Sequence, residues 1–497
     1  MGGVLEFAEA LEVVLRHAAG VRVPGVEMVA LPKAAERVLA EEVKADRDQP
    51  PFDRSTRDGF AVRAKEWTAG KRLRMSGQVR AGEAWTGGKM RAGSAIEIMT
   101  GAGVPRGADA VAMLEHAELG GGAVWAAAGR KLSVGENIVE RGSQARKGEV
   151  LLPAGTAMQA AEIALAAACG RARLAVRKRP TVAVVATGDE LVELDETPDE
   201  RQIYNSNGYA LAALVEAAGG RARRLKIARD TRADVRRRIA TGRGVDLMIL
   251  SGGVSAGKYD LVEEVLAGFG AEFFFTGVKM QPGKPVVFGR LPGGEERERN
   301  AGILRSAQND KREKENDKRE KENDKREKEN DKQRAQDDKR GVSDERGVSD
   351  ERGVSDERGG SDERGVSDER GGSDERGVSD ERGVTGWTYF FGLPGNPIST
   401  QVTFQCFVEP LLRALCGAEV VGPRFVQATL AEDMRGKAGL TRLLPGRLTY
   451  DVERPEVRLV EWQGSGDLAA NARANCYAVL AGGKDLRAGD VISVLLR

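Results

Sequence analysis

Metal-binding and redox-active side chains are scarce in this sequence. It contains two histidines, His17 and His116, and four cysteines in 497 residues, and no two cysteines form a CxxC pair. The cysteines are Cys169, Cys406, Cys416 and Cys476. This composition argues against zinc centres and disulfide frameworks. It indicates buried thiols in a reducing compartment, so we expect the protein to be cytoplasmic.

Excess charge and long apolar runs are also missing. Lys and Arg total 77 against 76 for Asp and Glu, which leaves a formal net charge of +1. This balance gives no reason to expect nucleic acid or an anionic membrane as a partner. No apolar run reaches the roughly 18 residues of a membrane span, and the first residues show no basic region or cleavage site of a signal peptide. Any anion-binding site must therefore be local.

The chain is long enough for about three domains, and its hydrophobic content of 40% can supply their cores. Apolar spacing predicts helices over residues 4–18 and 32–43. Short alternating runs broken by glycine predict a β-rich module over residues 72–150. An alanine-rich helix is predicted at 160–170, and an amphipathic helix at 398–415.

Strands and helices alternate between residues 180 and 291, which predicts a parallel sheet with right-handed crossovers. The predicted fold class is multidomain α/β plus β. It combines a central three-layer αβα, doubly wound and mostly parallel sheet with β-rich N-terminal modules and a small C-terminal β-barrel-like domain. The predicted domains are the N-terminal modules 1–178, with a linker and an inserted β domain at about 53–140, the central domain 179–418 and the C-terminal domain 419–497.

The stretch 246–260, DLMILSGGVSAGKYD, predicts a strand buried on both faces that runs into a loop rich in glycine and serine. Glycine lets backbone approach a ligand closely, and serine adds hydroxyl donors, so this loop suits a phosphate group. The candidate binding residues are Ser251, Gly252, Gly253, Ser255 and Gly257. An ordinary glycine-rich turn between a strand and a helix is the alternative.

Four acids fall at the predicted carboxyl ends of the central strands, where ligands of such sheets bind. They are Asp189, Glu190, Asp230 and Asp260. Carboxylates beside a phosphate site favour a hard cation such as Mg²⁺. For some of them the alternative is helix capping, which Asp230 could perform ahead of Thr231.

Two further candidates lie in the N-terminal part. The polar, proline-rich loop 46–64 leaves Asp58 available, and Thr100 ends a predicted strand beside two glycines. Capped turns are the alternative explanation for both residues.

Residues 295–386 interrupt the central domain. They repeat KREKEND over 311–331 and GVSDER or GGSDER over 341–382, with almost no apolar side chain to bury. This composition predicts a disordered, low-complexity insertion. Without it, PVVFGRL (285–291) and TYFFGLP (388–394) become two strands of a hairpin.

Six motifs gain specificity by occurring together and in order. They are PPFDRSTRDGFAV, IMTGAGVP, TGDEL, SGGVSAGKYD, PGKP and GLPGNPIST. The combination resembles the molybdopterin molybdenumtransferase family of the MoeA type, which the E domain of gephyrin also represents. The resemblance covers the chain except residues 295–386. It implies a homodimer that inserts molybdenum from molybdate into adenylylated molybdopterin in a Mg²⁺-dependent step and releases AMP.

The resemblance also assigns residues. It implies an active cleft that contains Asp58, Thr100, Glu190, Asp230 and Asp260, with Asp189, Glu190 and Asp260 as metal ligands. It implies substrate contacts from Pro394, Gly395, Asn396 and Pro397, and a molybdate site formed by Lys284, Arg442 and Ser465. The sequence departs from the family at Gln144, where an acid is common, and at Gln281, where some members carry a second Lys. Gln281 can donate hydrogen bonds to an oxyanion but carries no charge.

Two other functions compete with this one. The central domain and its SGGVS loop also resemble molybdopterin adenylyltransferases, although the flanking modules argue against that activity. A non-catalytic scaffold is suggested by gephyrin and by the charged insertion, although the intact acids favour an enzyme. As transient partners, the resemblance implies the adenylyltransferase and apo-molybdoenzymes.

Overall fold

The computed structural model describes residues 3–253, 261–292, 387–450 and 454–497. Within these ranges the strands form three six-stranded sheets and five two-stranded ribbons. The strands up to residue 178 are β1 Val4–Leu5, β2 Val26–Ala30, β3 Val43–Lys44, β4 Arg54–Ser55, β5 Gly59–Val62, β6 Leu73–Val79, β7 Ser94–Ile98, β8 Ala110–Met113, β9 Ala117–Gly120, β10 Ala123–Ala126, β11 Ile138–Val139, β12 Val150–Leu152 and β13 Arg173–Arg177. The later strands are β14 Thr181–Ala186, β15 Leu191–Val192, β16 Ile203–Tyr204, β17 Arg221–Arg224, β18 Leu247–Ser251, β19 Glu272–Phe275, β20 Gly277–Val278, β21 Met280–Gln281, β22 Val287–Pro292, β23 Trp387–Leu393, β24 Phe425–Leu430, β25 Thr441–Tyr450, β26 Pro455–Leu459, β27 Cys476–Leu480 and β28 Val491–Leu496.

The described α-helices are α1 Phe7–Ala18, α2 Ala160–Ala168, α3 Ser206–Ala217, α4 Arg232–Gly242, α5 Leu261–Ala267, α6 Pro397–Thr403, α7 Glu409–Leu415 and α8 Leu468–Arg473. A π-helical turn, Phe404–Val408, joins α6 to α7. Short 3₁₀ turns occur at Leu31–Lys33, Ala64–Glu66 and Leu114–His116.

The N-terminal part contains the predicted β-rich module. Its six strands lie in the order β8, β5, β7, β6, β10 and β9, and all pairings are antiparallel except that of β6 with β7. Phe60, Trp67 and Ile96 are among its buried side chains. Burying both faces of a small sheet in this way gives the module a core of its own.

The helix predicted over residues 32–43 is wrong. The chain makes only the 3₁₀ turn Leu31–Lys33, and Glu36 then adopts a φ of 62°, which an α-helix does not allow. Val38 and Leu39 instead form bridges to Ala157 and Val176. This pairing buries their apolar side chains. Tertiary contacts, and not the helical spacing of the apolar residues, therefore determine the local structure.

The central sheet has the predicted three-layer arrangement. Its strand order is β17, β14, β18, β23, β22 and β19; the first four strands are parallel, and β19 pairs antiparallel with β22. Alternate residues of β14 and β18 enter two separate cores: Val184 packs with α1, α3 and α7, whereas Val185 packs with α4 and α5. Helices therefore cover both faces, as parallel sheets require.

The C-terminal domain is a closed barrel, which confirms the predicted fold class. Strands β25, β26, β24, β28 and β27 follow one another, and β27 pairs again with β25. Leu444, Val457 and Val494 are buried in its core. Closure leaves no free edge among these five strands.

The predicted helix 398–415 forms, but its predicted amphipathic character is wrong. From Ile398 to Cys416 only Gln401, Glu409 and Arg413 are more than marginally accessible. Segment α6 contacts α3 and α8, and α7 contacts α1. Because neighbours surround it, the helix needs no polar stripe.

The cysteines, the membrane spans, the hairpin and the insertion are the subjects of the remaining predictions. All four cysteines are buried free thiols. A search of the described ranges finds no helix with the length and apolarity to cross a bilayer. Strands β22 and β23 are neighbours, as the hairpin predicts. The predicted disorder of residues 295–386, and the loop residues Ser255, Gly257 and Asp260, lie outside the described residues.

Deleting the insertion should leave the fold intact. Because β22 and β23 are adjacent strands, joining Gly294 to Trp387 restores a short connection between them. Stretching a turn of about 5 residues to about 95 costs roughly 2.6 kcal/mol in closure entropy, so the deletion should preserve activity and keep or raise the melting temperature. A soluble deletion variant that is inactive, or that melts well below the parent in a calorimetric scan, would show that the insertion supports the fold.

Candidate functional site

A cavity of about 860 Å³ opens at the carboxyl ends of the parallel strands. Its walls come mainly from residues 186–188 after β14, residues 251–253 after β18, residues 394–397 after β23, and residues 202–207 at the start of α3. Strand ends of a sheet covered by helices are the usual ligand position in this architecture. The cavity is therefore the candidate site.

The loop after β18 approaches β14 so closely that only glycine fits. Gly252 and Gly253 have φ angles of 93° and 67°. A Cβ atom on Gly252 would lie 2.5 Å from the carbonyl oxygen of Thr187, and one on Gly253 would lie 2.9 Å from its hydroxyl oxygen. That hydroxyl is buried without a hydrogen-bond partner among the described residues. A bare backbone and an unused hydroxyl at the cavity wall suit a polar ligand group.

Asn207 links two of these loops, and the sequence analysis missed it. Its Nδ2 donates to Ser251 Oγ at 3.1 Å and to the carbonyl oxygen of Gly395 at 2.6 Å. Asn205 caps the same helix, since its Oδ1 accepts from the Gly208 N–H at 2.9 Å. The sequence signal is NSN ahead of a predicted helix, but only the folded chain shows which strand ends it reaches.

The loop GLPGNP connects the central domain to the last domain. Asn396 Nδ2 donates to Ser465 Oγ at 2.8 Å, and the Ile398 N–H donates to the Ser465 carbonyl at 3.0 Å. Thr400 Oγ1 donates to the carbonyl of Pro394 at 2.5 Å and so fixes the turn from inside α6. The predicted substrate contacts 394–397 and Ser465 thus lie together, and Gly466 also lines the cavity.

Acids form one wall of the cavity. Glu190 and Asp230 line it, and Asp189 lies beside them, because its Oδ1 accepts from the Asp230 N–H at 3.1 Å. Burial, followed by the negative charges of Asp189 and Glu190, raises the pKa of Asp230. Thr231 caps α4, so the capping alternative for Asp230 is wrong. A cation or a ligand proton would relieve this repulsion.

Apolar and aromatic side chains also line the cavity. Ile203 and Tyr204 are 57% and 45% exposed and both line the cavity. Their strand is held in place where the Ile203 N–H donates to the Glu190 carbonyl at 2.8 Å. An exposed aromatic ring held rigidly in a cavity suits a flat ring of a ligand. Sequence analysis did not single out Tyr204.

Asp58 and Thr100 are paired, but neither lines this cavity. Asp58 Oδ1 accepts from the Thr100 N–H at 2.6 Å and from Thr100 Oγ1 at 2.8 Å. These two hydrogen bonds, the backbone one first, lower the pKa of Asp58. Both residues are exposed on the N-terminal β module. The chain therefore presents an ionised carboxylate on a second surface.

The predicted molybdate residues Lys284 and Arg442 also lie outside the cavity lining. Pro285, next to Lys284, does line it. Arg442 is the cross-strand partner of Gln281 where β21 of the central domain pairs with β25 of the barrel. Arg442 Nε and Gln281 Oε1 are both buried without a hydrogen-bond partner in the described ranges. Buried polar atoms without partners on two paired residues are suited to a further ligand group.

Among the described residues, no group of three or more His, Cys, Asp or Glu side chains is arranged to hold a metal ion. The predicted metal ligands Asp189 and Glu190 are close to each other, and the third, Asp260, lies outside the described residues. Any cation held here by the described acids would need further oxygen ligands from water or from a bound substrate.

Comparisons with known proteins agree with this architecture. Residues 5–170 match the MoeA N-terminal region (domain I and II), residues 183–304 a probable molybdopterin binding domain, and residues 427–496 the MoeA C-terminal region (domain IV). The molybdopterin molybdenumtransferase of Staphylococcus aureus (strain COL) is 28% identical over 484 residues, covering 94% of this chain and 90% of that relative. A protein of the same name from Nostoc sp. is 36% identical over 274 residues, covering 54% and 62%.

A solved structure has a similar fold along the whole chain. It is the molybdopterin biosynthesis moea protein from Pyrococcus horikosii, with a TM-score of 0.62, 25% identity and 99% coverage of both chains. The matches at the two ends of the chain are both to MoeA regions, and the match to the molybdopterin binding domain lies between them. This order is the order of the folded modules along the chain. The chain therefore belongs to the MoeA-type family of molybdopterin molybdenumtransferases.

Proposed function

We propose that this enzyme acts in molybdenum cofactor biosynthesis by inserting molybdenum from molybdate into adenylylated molybdopterin, with release of AMP. The observation that carries the proposal is the cavity at the strand ends, which is lined both by a glycine loop suited to phosphate and by the acids Glu190 and Asp230. Breaking a phosphoanhydride requires phosphate to be held, its charge to be balanced and a nucleophile to be positioned. Glycine backbone, acids and Asn207 can meet these needs.

The cavity has room for the flat rings of such a substrate. Its volume of about 860 Å³ accommodates a ligand of nucleotide size or larger. Tyr204 offers an aromatic side chain at the cavity wall. A flat ring of the substrate would stack against it, and the phosphates would meet the glycine loop.

The proposed cation is Mg²⁺. It binds through one or two carboxylates together with substrate phosphates and water, so Glu190 and Asp189 or Asp230 form a fitting donor set without a third protein ligand. Burial raises the pKa of Asp230, and the negative charges of Asp189 and Glu190 add to this rise, so a positive charge beside Asp230 is favoured. Bound there, Mg²⁺ would neutralise phosphate charge. Asp260 remains a predicted ligand.

We propose a homodimer in which a second chain brings Asp58 and Thr100 to the cavity. The family resemblance implies that these residues belong to the active cleft, yet they do not line the cavity of their own chain. A twofold dimer would place each surface against the other chain's cavity, giving two equal composite sites. The protein would work in the cytoplasm, receive its substrate from an adenylyltransferase and pass its product to apo-molybdoenzymes.

One assay separates this proposal from its two rivals. Pure protein is incubated with adenylylated molybdopterin, molybdate and Mg²⁺, and AMP release is followed. Release that depends on molybdate supports the proposal. ATP-dependent formation of the adenylate would identify an adenylyltransferase instead, and absence of both reactions would leave a scaffold.

Glu190→Gln should lower AMP release by about two orders of magnitude or more, because it removes a cavity carboxylate while keeping side-chain size. Glu200→Gln is the matched control, since Glu200 is exposed on the same acidic loop and does not line the cavity. The rates are measured at limiting Mg²⁺. Equal rates for Glu190→Gln and the parent would remove Glu190 from the chemistry.

Arg442→Ala should raise the half-saturating molybdate concentration about ten- to hundredfold, because the loss of a hydrogen bond to a charged group usually weakens binding by that factor. Lys284→Ala should act in the same direction. Arg447→Ala, on an exposed position of the same strand, serves as control. Binding of the adenylate is measured in parallel by calorimetry. If Arg442→Ala weakens adenylate binding and leaves molybdate dependence unchanged, Arg442 binds the nucleotide part of the substrate and not molybdate.

Mixing two inactive variants tests the composite site. A hybrid dimer of Asp58→Asn and Glu190→Gln chains would contain one intact site if the two residues act across the interface. Random assortment of a symmetric dimer should then restore about 25% of parental AMP release after the variants are denatured and refolded together. Recovery of no activity, with hybrids verified by mass spectrometry, would show that each chain uses its own Asp58.

A further inference from the structure

A second cavity, of about 340 Å³, lies where three parts of the chain meet. Val38 and Met158 of the N-terminal part form one side, Leu214 near the end of α3 forms another, and Val420 lies in the segment that leads into the barrel. It shares no lining residue with the cavity at the strand ends. The described residues thus form a separate concave site within the size range of small-ligand pockets.

Gln405 gives this cavity an unused polar group. The residue is only 5% exposed and lines the cavity. Its Oε1 is buried without a hydrogen-bond partner in the described part of the chain. A buried amide oxygen without a partner costs stability, so native proteins seldom retain one without a reason.

The helix is irregular at this residue. Gln405 lies in the π-helical turn Phe404–Val408, which separates α6 from α7. Single π turns inside α-helices occur frequently at functional sites, because the extra residue changes the direction of the side chains. Here the distorted turn carries Gln405, whose Oε1 has no hydrogen-bond partner among the described residues.

The charged residues of the lining favour an anion. The lining contains three arginines and two glutamates, which gives an excess of one positive charge. These residues are Arg413, Arg424, Arg497, Glu36 and Glu409. Arg413 Nε lies 3.4 Å from Glu409 Oε1, so these two charges balance each other.

The other two arginines, Arg497 and Arg424, differ in their hydrogen bonds and ion pairs. Arg497 Nη1 is occupied by the carbonyls of Asn471 and Ala474. Arg424 is exposed and forms no ion pair within the described ranges. Its guanidinium can therefore bind a carboxylate or phosphate at the rim.

We propose that the second cavity binds a small organic anion that also carries a hydroxyl or amide group. The anionic group would meet Arg424, and the hydroxyl or amide N–H would donate to Gln405 Oε1. The experiment distinguishes an anion that carries a carboxylate from one that carries a phosphate ester. This site is independent of the proposed reaction, because it shares no residue with the first cavity.

The experiment measures the melting temperature of the full-length protein with separate probes. Citrate represents hydroxylated carboxylates, glycerol 3-phosphate represents phosphate esters, and inorganic phosphate and glycerol are the controls that lack one of the two features. At a probe concentration of about ten times Kd, binding should raise the melting temperature by about 2 °C. A rise with citrate alone or with glycerol 3-phosphate alone identifies the class. No rise with either, or an equal rise with inorganic phosphate, overturns the proposal.

Two variants separate binding from a structural role. Gln405→Leu should keep or raise the melting temperature of the free protein, because it removes an unpaired buried amide, and it should abolish the shift caused by the probe. Arg424→Ala should fold normally and weaken the probe at least tenfold, whereas Arg447→Ala should leave it unchanged. A strongly lowered melting temperature for free Gln405→Leu, with the probe shift retained, would show that the amide supports the fold and binds nothing.

Discussion

Burial of the central sheet on both faces is the constraint on which the rest of the structure depends. Alternate residues of β14 and β18 pack into two separate helical layers, so neither face of these strands is available to a ligand. Polar groups can meet solvent only where the strands end. The glycine loop, the acids and the GLPGNP turn are therefore concentrated at one edge by the packing requirements of the core.

The candidate site is held by a small number of polar contacts across this edge. Asn207 links the end of β18 to the loop after β23, and Asn396 links that loop to Ser465, which lies between β26 and β27 of the barrel. Each contact joins segments that are far apart in the chain. The position of any one loop thus depends on the others, as expected for a site that must hold a ligand in one geometry.

Much of the fold could be predicted from residue patterns, and the failures have physical causes. Runs such as TVAVVA and DLMILS fill both faces of a strand, so their place in a buried parallel sheet follows from composition. The spacing at residues 32–43 is equally compatible with short bridges, and the pairing of Leu39 with Val176 decided between them. Burial of the helix 398–415 on all sides depends on three neighbouring segments, none of which its own sequence reveals.

The candidate site was predictable in part for similar reasons. Glu190, Asp230 and the glycines occupy strand ends, which chain order alone indicates. Asn207 and Tyr204 acquire their importance from the side of the cavity they face, and this depends on how α3 is set against the sheet. The separation of Asp58 and Thr100 from the cavity of their own chain reflects domain arrangement, to which local patterns are insensitive.

The two ends of strand β23 differ in their distance from the candidate site. Its last residue, Leu393, already belongs to the GLPGNP turn, whereas its first residue, Trp387, lies six residues earlier. At about 3.3 Å per residue, the two ends are separated by roughly 20 Å. The amino end of this strand is therefore a practical place to graft a tag or reporter domain, because it is about one strand length away from the turn.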